Sequence, residues 1–250
     1  MTIVKITKDM FEKMEYDTAT GTTSVISAAA EPNTVQEPTL MLVLSGSDLN
    51  AASYHLVKSL QNPLTNTVVT VLVQESVLAD FTAKVQDKMV SYKPTTALAG
   101  SYSAILQKIK NFNAKTIQPK EATEGSLAGP TIVYDFTHEQ LGINVGLIAT
   151  LHAFRTTKEA NGLCQKQGVN FVNASIWSEN HAQAYEIVAA QACKNFFINC
   201  FDVPIDCLRE HIEMNRSFVF MDKGYHYETM LAEDDSQKTV VFPYGTIFAN

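Results

Sequence analysis

The sequence predicts an α/β protein: a layered, mainly parallel sheet with helices on both faces, followed by a short β-rich C-terminal appendage. Three observations carry this. Short apolar runs rich in β-branched residues recur over residues 39–201, as buried strands do. Between them, apolar residues return every three or four positions, the period of a helix with one buried face. Beyond residue 204 the extended stretches shorten and are punctuated by Lys223-Gly224 and the polar residues 233–236, which suits antiparallel strands and turns.

Each element has its own signal. Residues 18–38, rich in Thr, Ser, Ala and Pro, read as an arm or loop ahead of the main body. Residues 39–44 form a first buried strand. Ser45-Gly46-Ser47 supplies a turn and a cap, and Leu49, Ala52, Leu56 and Leu60 mark the helix that follows. Asn62-Pro63 ends it, because proline lacks an N–H and disfavours helical geometry in the residue before it. Residues 68–73, β-branched nearly throughout, are a second strand. Ser76 caps a helix with Leu78, Phe81, Val85 and Met89 on one face. A third helix over residues 102–112 carries Ile105, Ile109 and Phe112.

Gly129-Pro130 opens a strand over residues 131–136. A further apolar run, 147–154, leads into Thr156-Thr157-Lys158-Glu159, a capping-box pattern, and Gly168 closes the short helix beyond it. Residues 170–177 are strand-like. The helix over 181–194 sets Tyr185, Val188, Ala189 and Ala192 to one side, and 196–201 is another strand. Residues 217–221, 225–230 and 239–242 are short extended candidates. No internal repeat is present. The expected organisation is an N-terminal arm over 1–26, a core over 27–204, and a β-rich appendage over 205–250 packed on that core.

Bulk properties narrow the function. With 46% hydrophobic residues in 250, the chain can bury a sizeable core. The net charge is −7 and no Lys/Arg stripe is interleaved with aromatics, so nucleic acid is not an expected partner. The first residues, MTIVKITKDMFEKMEY, lack an apolar signal core, and no apolar run is long enough to span a bilayer. The expectation is a cytoplasmic protein whose four cysteines, Cys164, Cys193, Cys200 and Cys207, are reduced.

The order of the segments carries a resemblance. "PTLMLVLSGSDLNAASYHLVKSLQN" followed by "TVLVQESVLADFTAKVQDKM" resembles the catalytic domain of the aldehyde dehydrogenase superfamily. There a strand, an "ADLDAA"-like helix, a cysteine loop, a "VQE" strand and a "DEF" helix follow in that order. "GPTIVYDFTHEQ" is similar to the family's "PTV…DVT" segment. The stretch from "HAFRTTKEANGLC" to "KNFFINCFD" is similar to its closing helix, strand, helix and "VNC" strand. The similarity spans about residues 27–203. Within the superfamily the chain is also similar to an insect-centred group of unknown function.

The resemblance implies a chemistry and positions for it. A thiolate attacks an aldehyde carbonyl, and hydride leaves the adduct for a nicotinamide. Counted back from Val73-Gln74-Glu75, the nucleophile position falls at Thr65, with Asn66 beside it. A threonine hydroxyl is barely ionised at neutral pH and needs an adjacent base. The general-base glutamate falls near Pro32-Asn33, and no Glu-Leu-Gly-Gly pattern stands there. The "EEIFGP" motif, whose glutamate binds the nicotinamide ribose, falls at residues 142–147, GINVGL, where only Gly146 matches. Relatives carry a dinucleotide-binding half that this length does not accommodate, and no GxGxxG follows a strand. The resulting expectation is no catalytic residue, no cofactor-binding residue, no metal ligand and no cofactor.

Other groups read as structural. Cys164, near Lys158 and Lys166, reads as a small buried hydrophobe rather than a relocated nucleophile, and Cys200 as core. The six histidines, at 55, 138, 152, 181, 211 and 226, form no HxH or HxxxH pair. Tyr225-His226-Tyr227 reads as aromatics packed across a sheet. Gly125 to Gly129 has its serine one place too early for a nucleophile elbow.

The function expected is that of a non-catalytic, aldehyde-dehydrogenase-like pseudoenzyme acting as a binding or structural module. A protein partner or a homodimer is expected, with residues 196–201 as a pairing edge, and no membrane or nucleic acid. The alternative is an oxidoreductase whose cofactor domain comes from another chain, or a hydrolase with an unrecognised nucleophile.

Overall fold

The structure, a computed structural model, describes residues 14–17, 22–25, 37–61, 67–91, 96–120, 129–142, 147–231 and 236–244. A small antiparallel pair, β1 (Met14–Asp17) and β2 (Thr22–Val25), stands in the stretch read as an arm. The remaining strands form one sheet.

That sheet is built from repeated strand–helix units. β3 (Thr39–Val43) leads to α1 (Leu49–Gln61), and β4 (Val68–Gln74) leads through a short 3₁₀ turn to α2 (Leu78–Lys88). Then come α3 (Thr96–Asn111), the two-residue β5 (Thr116–Ile117), β6 (Thr131–Tyr134) and α4 (His138–Leu141). β7 (Ile148–Phe154), α5 (Thr157–Gln165), β8 (Asn173–Trp177), α6 (His181–Ala190) and β9 (Asn195–Ile198) complete the alternation. After α7 (Arg209–Glu213) come β10 (Phe218–Asp222), β11 (Tyr225–Leu231) and β12 (Gln237–Pro243).

The strand order is β10-β11-β12-β9-β8-β3-β4-β7-β6-β5. Every neighbour from β12 to β6 is parallel, and the two ends are antiparallel. Side chains alternate across the sheet, so two cores result. On one face Met41, Val43, Val71 and Val73 pack against Leu56 and Leu60 of α1 and Phe81 and Val85 of α2. On the other, Leu40, Leu42 and Leu72 pack under Ala160 and Cys164 of α5 and Ala184, Ile187 and Val188 of α6. The same face is continued by Val133 and Ile148 under Tyr102, Ile105 and Ile109 of α3. Each fully buried aliphatic or aromatic side chain contributes about 1.5–3 kcal/mol of burial free energy. The expected mainly parallel sheet, its helices on both faces and the β-rich C-terminal part are all present.

Several boundaries differ from the sequence reading. α3 starts at Thr96 rather than 102, β6 ends at Tyr134 rather than 136, and β8 starts at Asn173 rather than 170. Three more differ for a visible physical reason. α6 stops at Ala190 instead of 194, where Lys238 Nζ reaches the carbonyls of Val188 and Ala189 at 2.9 and 3.2 Å. Its buried stripe is Ala184, Ile187 and Val188, while Ala189 and Ala192 are exposed. Phe112 lies past the end of α3, is exposed, and stacks on Phe136 at 5.6 Å. β9 ends at Ile198 because Asn199 turns left-handed, φ 53°, to bracket Ser178 with both arms of its amide.

The pairing edge expected at residues 196–201 is a correction. β8 takes one side of β9, and β12 of the same chain takes the other, with Val240 beside Phe196 and Val241 beside Phe197. A strand hydrogen-bonded on both sides has no edge to offer a second chain. The C-terminal strands thus extend the sheet in its own plane. Beneath them Phe197, Cys200 and Val203 share a core with Leu208, Tyr227 and Val241.

Candidate functional site

The segments where the resemblance implies chemistry precede β3, β4 and β7, three adjacent strands running parallel. Their flanks therefore meet at the amino end of the sheet. Pro32, Asn33, Thr65, Asn66 and residues 143–146 lie outside the described residues. Thr39 N–H donates to the Thr67 carbonyl at 2.9 Å, and Val68 N–H to the Ser59 hydroxyl at 2.8 Å. Thr131 N–H donates to the Leu147 carbonyl, and Val172 N–H to that of Pro38. Thr39 Oγ1 is buried and has no hydrogen-bond partner among the described residues. Gly142 turns left-handed, φ 66°, at the end of α4, whose start is fixed by a capping box between Thr137 and Gln140.

Behind this rim, on the face under α4 and α5, a polar chain crosses the core. Thr150 donates to Gln167 Oε1 at 3.4 Å, so the 3.0 Å contact between the Thr70 and Thr150 hydroxyls is donated by Thr70. Gln167 Nε2 approaches His152 Nε2 at 2.9 Å and must donate to it. The ring proton then sits on Nδ1, beside the backbone of Phe136. Burial holds the His152 pKa below the ordinary histidine range despite the nearby Asp135 carboxylate. His138 donates through Nε2 to the Val69 carbonyl at 2.5 Å. Every lone pair and proton named here has a partner, so the chain braces β4, β7 and the turn after α5 and leaves His152 no free lone pair to act as a base. Thr150 and His152 interrupt the apolar run of β7 two residues apart, which is the signal in the sequence that they share a face.

The opposite, carboxyl end holds the usual ligand crevice of an open α/β sheet, where β3 sends α1 to one face and β8 sends α6 to the other. Here several of its backbone donors are taken by the protein's own side chains. Asp48 accepts from Asn50 and Ala51 N–H at the start of α1, and Asn180 from Ala182 and Gln183 N–H at the start of α6. Gly46, φ 80°, leaves room for the Glu179 carboxylate, which lies 3.3 Å from where a Cβ would stand. Ser45 N–H is taken by Gln74 Oε1 at 2.8 Å. With these donors used and two carboxylates present, this end is unsuited to an anion.

Three of the four thiols are equally unsuited to nucleophilic work. Cys164, Cys193 and Cys200 are buried, and burial pushes each of Cys164 and Cys193 up to about 12 and Cys200 higher still. Cys164 and Cys193 line one cleft of about 520 Å³ at the amino ends of β8 and β9. Cys207 is exposed, on the short turn before α7. Among the described residues no three His, Cys, Asp or Glu side chains gather to hold a metal ion. His226 stacks on Phe242 at 4.3 Å and Tyr227 on Phe220 at 5.0 Å, as aromatics packed across strands. No helix among the described residues is long and apolar enough to cross a membrane.

Solved structures similar to this chain are aldehyde dehydrogenases. Lactaldehyde dehydrogenase from Escherichia coli aligns with a TM-score of 0.56 at 17% identity, over 68% of this chain and 40% of that one. Indole-3-acetaldehyde dehydrogenase from P. syringae, in complex with NAD+ and IAA, gives 0.55 at 15%, over 83% and 45%. Betaine aldehyde dehydrogenase from Staphylococcus aureus gives 0.56 at 15%, over 68% and 38%. The chain thus corresponds to less than half the length of each, and at these identities the likeness shows the fold. No curated protein matches the chain. A family model matches residues 34–248, reaching from the first strand of the large sheet through its last, and by that match the chain belongs to the family described as "Protein of unknown function (DUF1487)".

Proposed function

We propose that this protein is a non-catalytic member built on the aldehyde-dehydrogenase catalytic-domain fold, working as a binding or structural module for a protein partner or a second copy of itself. One observation carries the reading. The three segments that would supply nucleophile, base and cofactor ligand have all changed together: Thr65-Asn66, Pro32-Asn33 and GINVGL over residues 142–147. One replacement would suit a variant chemistry; three together remove the reaction. A hydroxyl cannot replace a thiolate without a base beside it. Support comes from three of the four thiols, since Cys164, Cys193 and Cys200 are buried and burial raises the pKa of each. In this reading the 27–204 core is the scaffold, the appendage over 205–250 continues its sheet through β12, and residues 1–26 are an arm.

Calorimetry of the chain with NAD and with NADP tests the reading. Binding weaker than about 0.1 mM is expected, equivalent to less than about 5.5 kcal/mol. Tighter binding, displaced by replacing residues within 142–147, would overturn it.

A further inference from the structure

The sheet has two edges, and they are treated differently. β5, at one end, is only two residues long, a common way of blunting an edge. β10, at the other, is five residues long, contains no proline and no lysine or arginine, and exposes Val219 by 55% and Met221 by 60%. We propose that β10 is a pairing edge for a second copy of this chain, joining antiparallel across a two-fold axis at Val219 and making one continuous sheet of the two.

Hydrogen-bond parity sets which groups are on offer. β10 and β11 are joined by Lys223-Gly224, both with positive φ, 48° and 86°, a type I′ turn closing on the Asp222–Tyr225 pair. In such a hairpin the closing pair is mutually hydrogen-bonded, so Asp222, Phe220 and Phe218 direct their backbone groups at β11. Val219 and Met221 then direct theirs away from the sheet. The same alternation holds across the hairpin, where Thr239 N–H faces β9 and donates to Lys194. Among the described residues no strand pairs with the outer row of β10, which therefore presents unpaired backbone groups to a further strand.

Charge and shape choose the occupant and the register. With Val219 on the axis, antiparallel pairing sets Arg216 opposite Asp222 of the second copy, and Phe218 opposite Phe220, each pair occurring twice. Both are non-hydrogen-bonded pairs, whose side chains approach more closely. Arg216 is exposed and has no ion pair among the described residues, and Asp222 has only Lys223 at 4.0 Å. Centring the axis on Phe220 instead sets Asp222 opposite Phe218 and loses the charge match. An isologous contact must be self-complementary, and this segment is. The pairing goes beyond the non-catalytic reading and holds whether or not the chain turns over a substrate.

Sedimentation of the full chain at micromolar concentration is the test, with thermal melting of each variant as a folding control. A dimer is expected. Val219→Pro removes an outward N–H without touching the β10–β11 bonds, and Val219→Lys sets like charges together on the axis; both should give folded monomers. Arg216→Asp and Asp222→Arg should each weaken the dimer about tenfold, and the double exchange should restore it. A monomeric wild type overturns the proposal. So does a dimer indifferent to both Val219 variants, or single charge variants that the double exchange does not rescue.

Discussion

The Tyr185 phenol donates to Glu228 Oε2 at 2.8 Å, tying α6, which covers the central sheet, to β11 of the C-terminal hairpin. His226 Nε2 lies 3.6 Å from the same carboxylate oxygen. Burial first, and then the bond to Glu228, raise the Tyr185 pKa. Core and hairpin are therefore joined by a polar contact as well as by backbone pairing. Tyr185→Phe should leave the fold intact and cost about 1–2 kcal/mol, read from a urea titration, because it leaves a half-buried carboxylate short of a donor. No change in midpoint would show that the two parts do not lean on this contact.

Stability should fall in mild acid. Burial lowers the pKa of His152 and of His55 below the ordinary value of 6.5, so the folded state favours their neutral forms. A depressed histidine pKa means that the unfolded chain binds protons first. Its contribution is intact above about pH 6.5 and is lost as the pH falls from there towards the lowered value. Melting temperature should drop over that range, and His152→Gln should flatten the drop. A flat profile from neutrality down to pH 5 would contradict the buried polar chain.

Phe197 is 4% exposed and packs with Cys200, Leu208, Tyr227 and Val241, the core shared by β9 and the C-terminal strands. Phe197→Asp should cost about 3–5 kcal/mol, enough to unfold a marginal domain, because the carboxylate would have no partner there. Circular dichroism would show it. A native-like melt of the variant would mean that this core is not formed as described.

Native protein at neutral pH should present a single reactive thiol. Cys207 is exposed, whereas Cys164, Cys193 and Cys200 are buried, with the pKa of each raised by that burial. A chromogenic disulfide should titrate Cys207 alone before denaturation and all four cysteines after it. Fast labelling of Cys164 or Cys193 would instead place a reactive thiol at the amino end of the sheet.

Much of the fold is legible in the residues. β-branched runs such as Val68–Gln74 are buried on both faces and could only be central strands. Thr156 gives the start of α5, although the Glu159 carboxylate reaches back to Arg155 N–H at 2.9 Å rather than to the cap residue itself. What could not be read is long-range. Lys238 ends α6 from about fifty residues away, and β12 occupies the edge of β9 by parallel pairing, which leaves no local pattern. Of the site, the residues at the positions the resemblance implies are read from the sequence alone. The polar chain from Thr70 to His152 is not, because its members come from three separate segments and meet only when β4 and β7 pair.

The central claim is that Thr65 is not a nucleophile, and turnover measures it most directly. Wild type, Thr65→Ala and Thr65→Cys are incubated with NAD or NADP and a panel of aliphatic and aromatic aldehydes, following reduced nicotinamide by fluorescence. The three proteins should show the same background rate. Thr65→Ala should also melt within about 0.5 kcal/mol of wild type, and, on the proposed reading that base and cofactor ligand are missing too, the cysteine should restore nothing. Aldehyde oxidation by the wild type that Thr65→Ala abolishes would contradict the account.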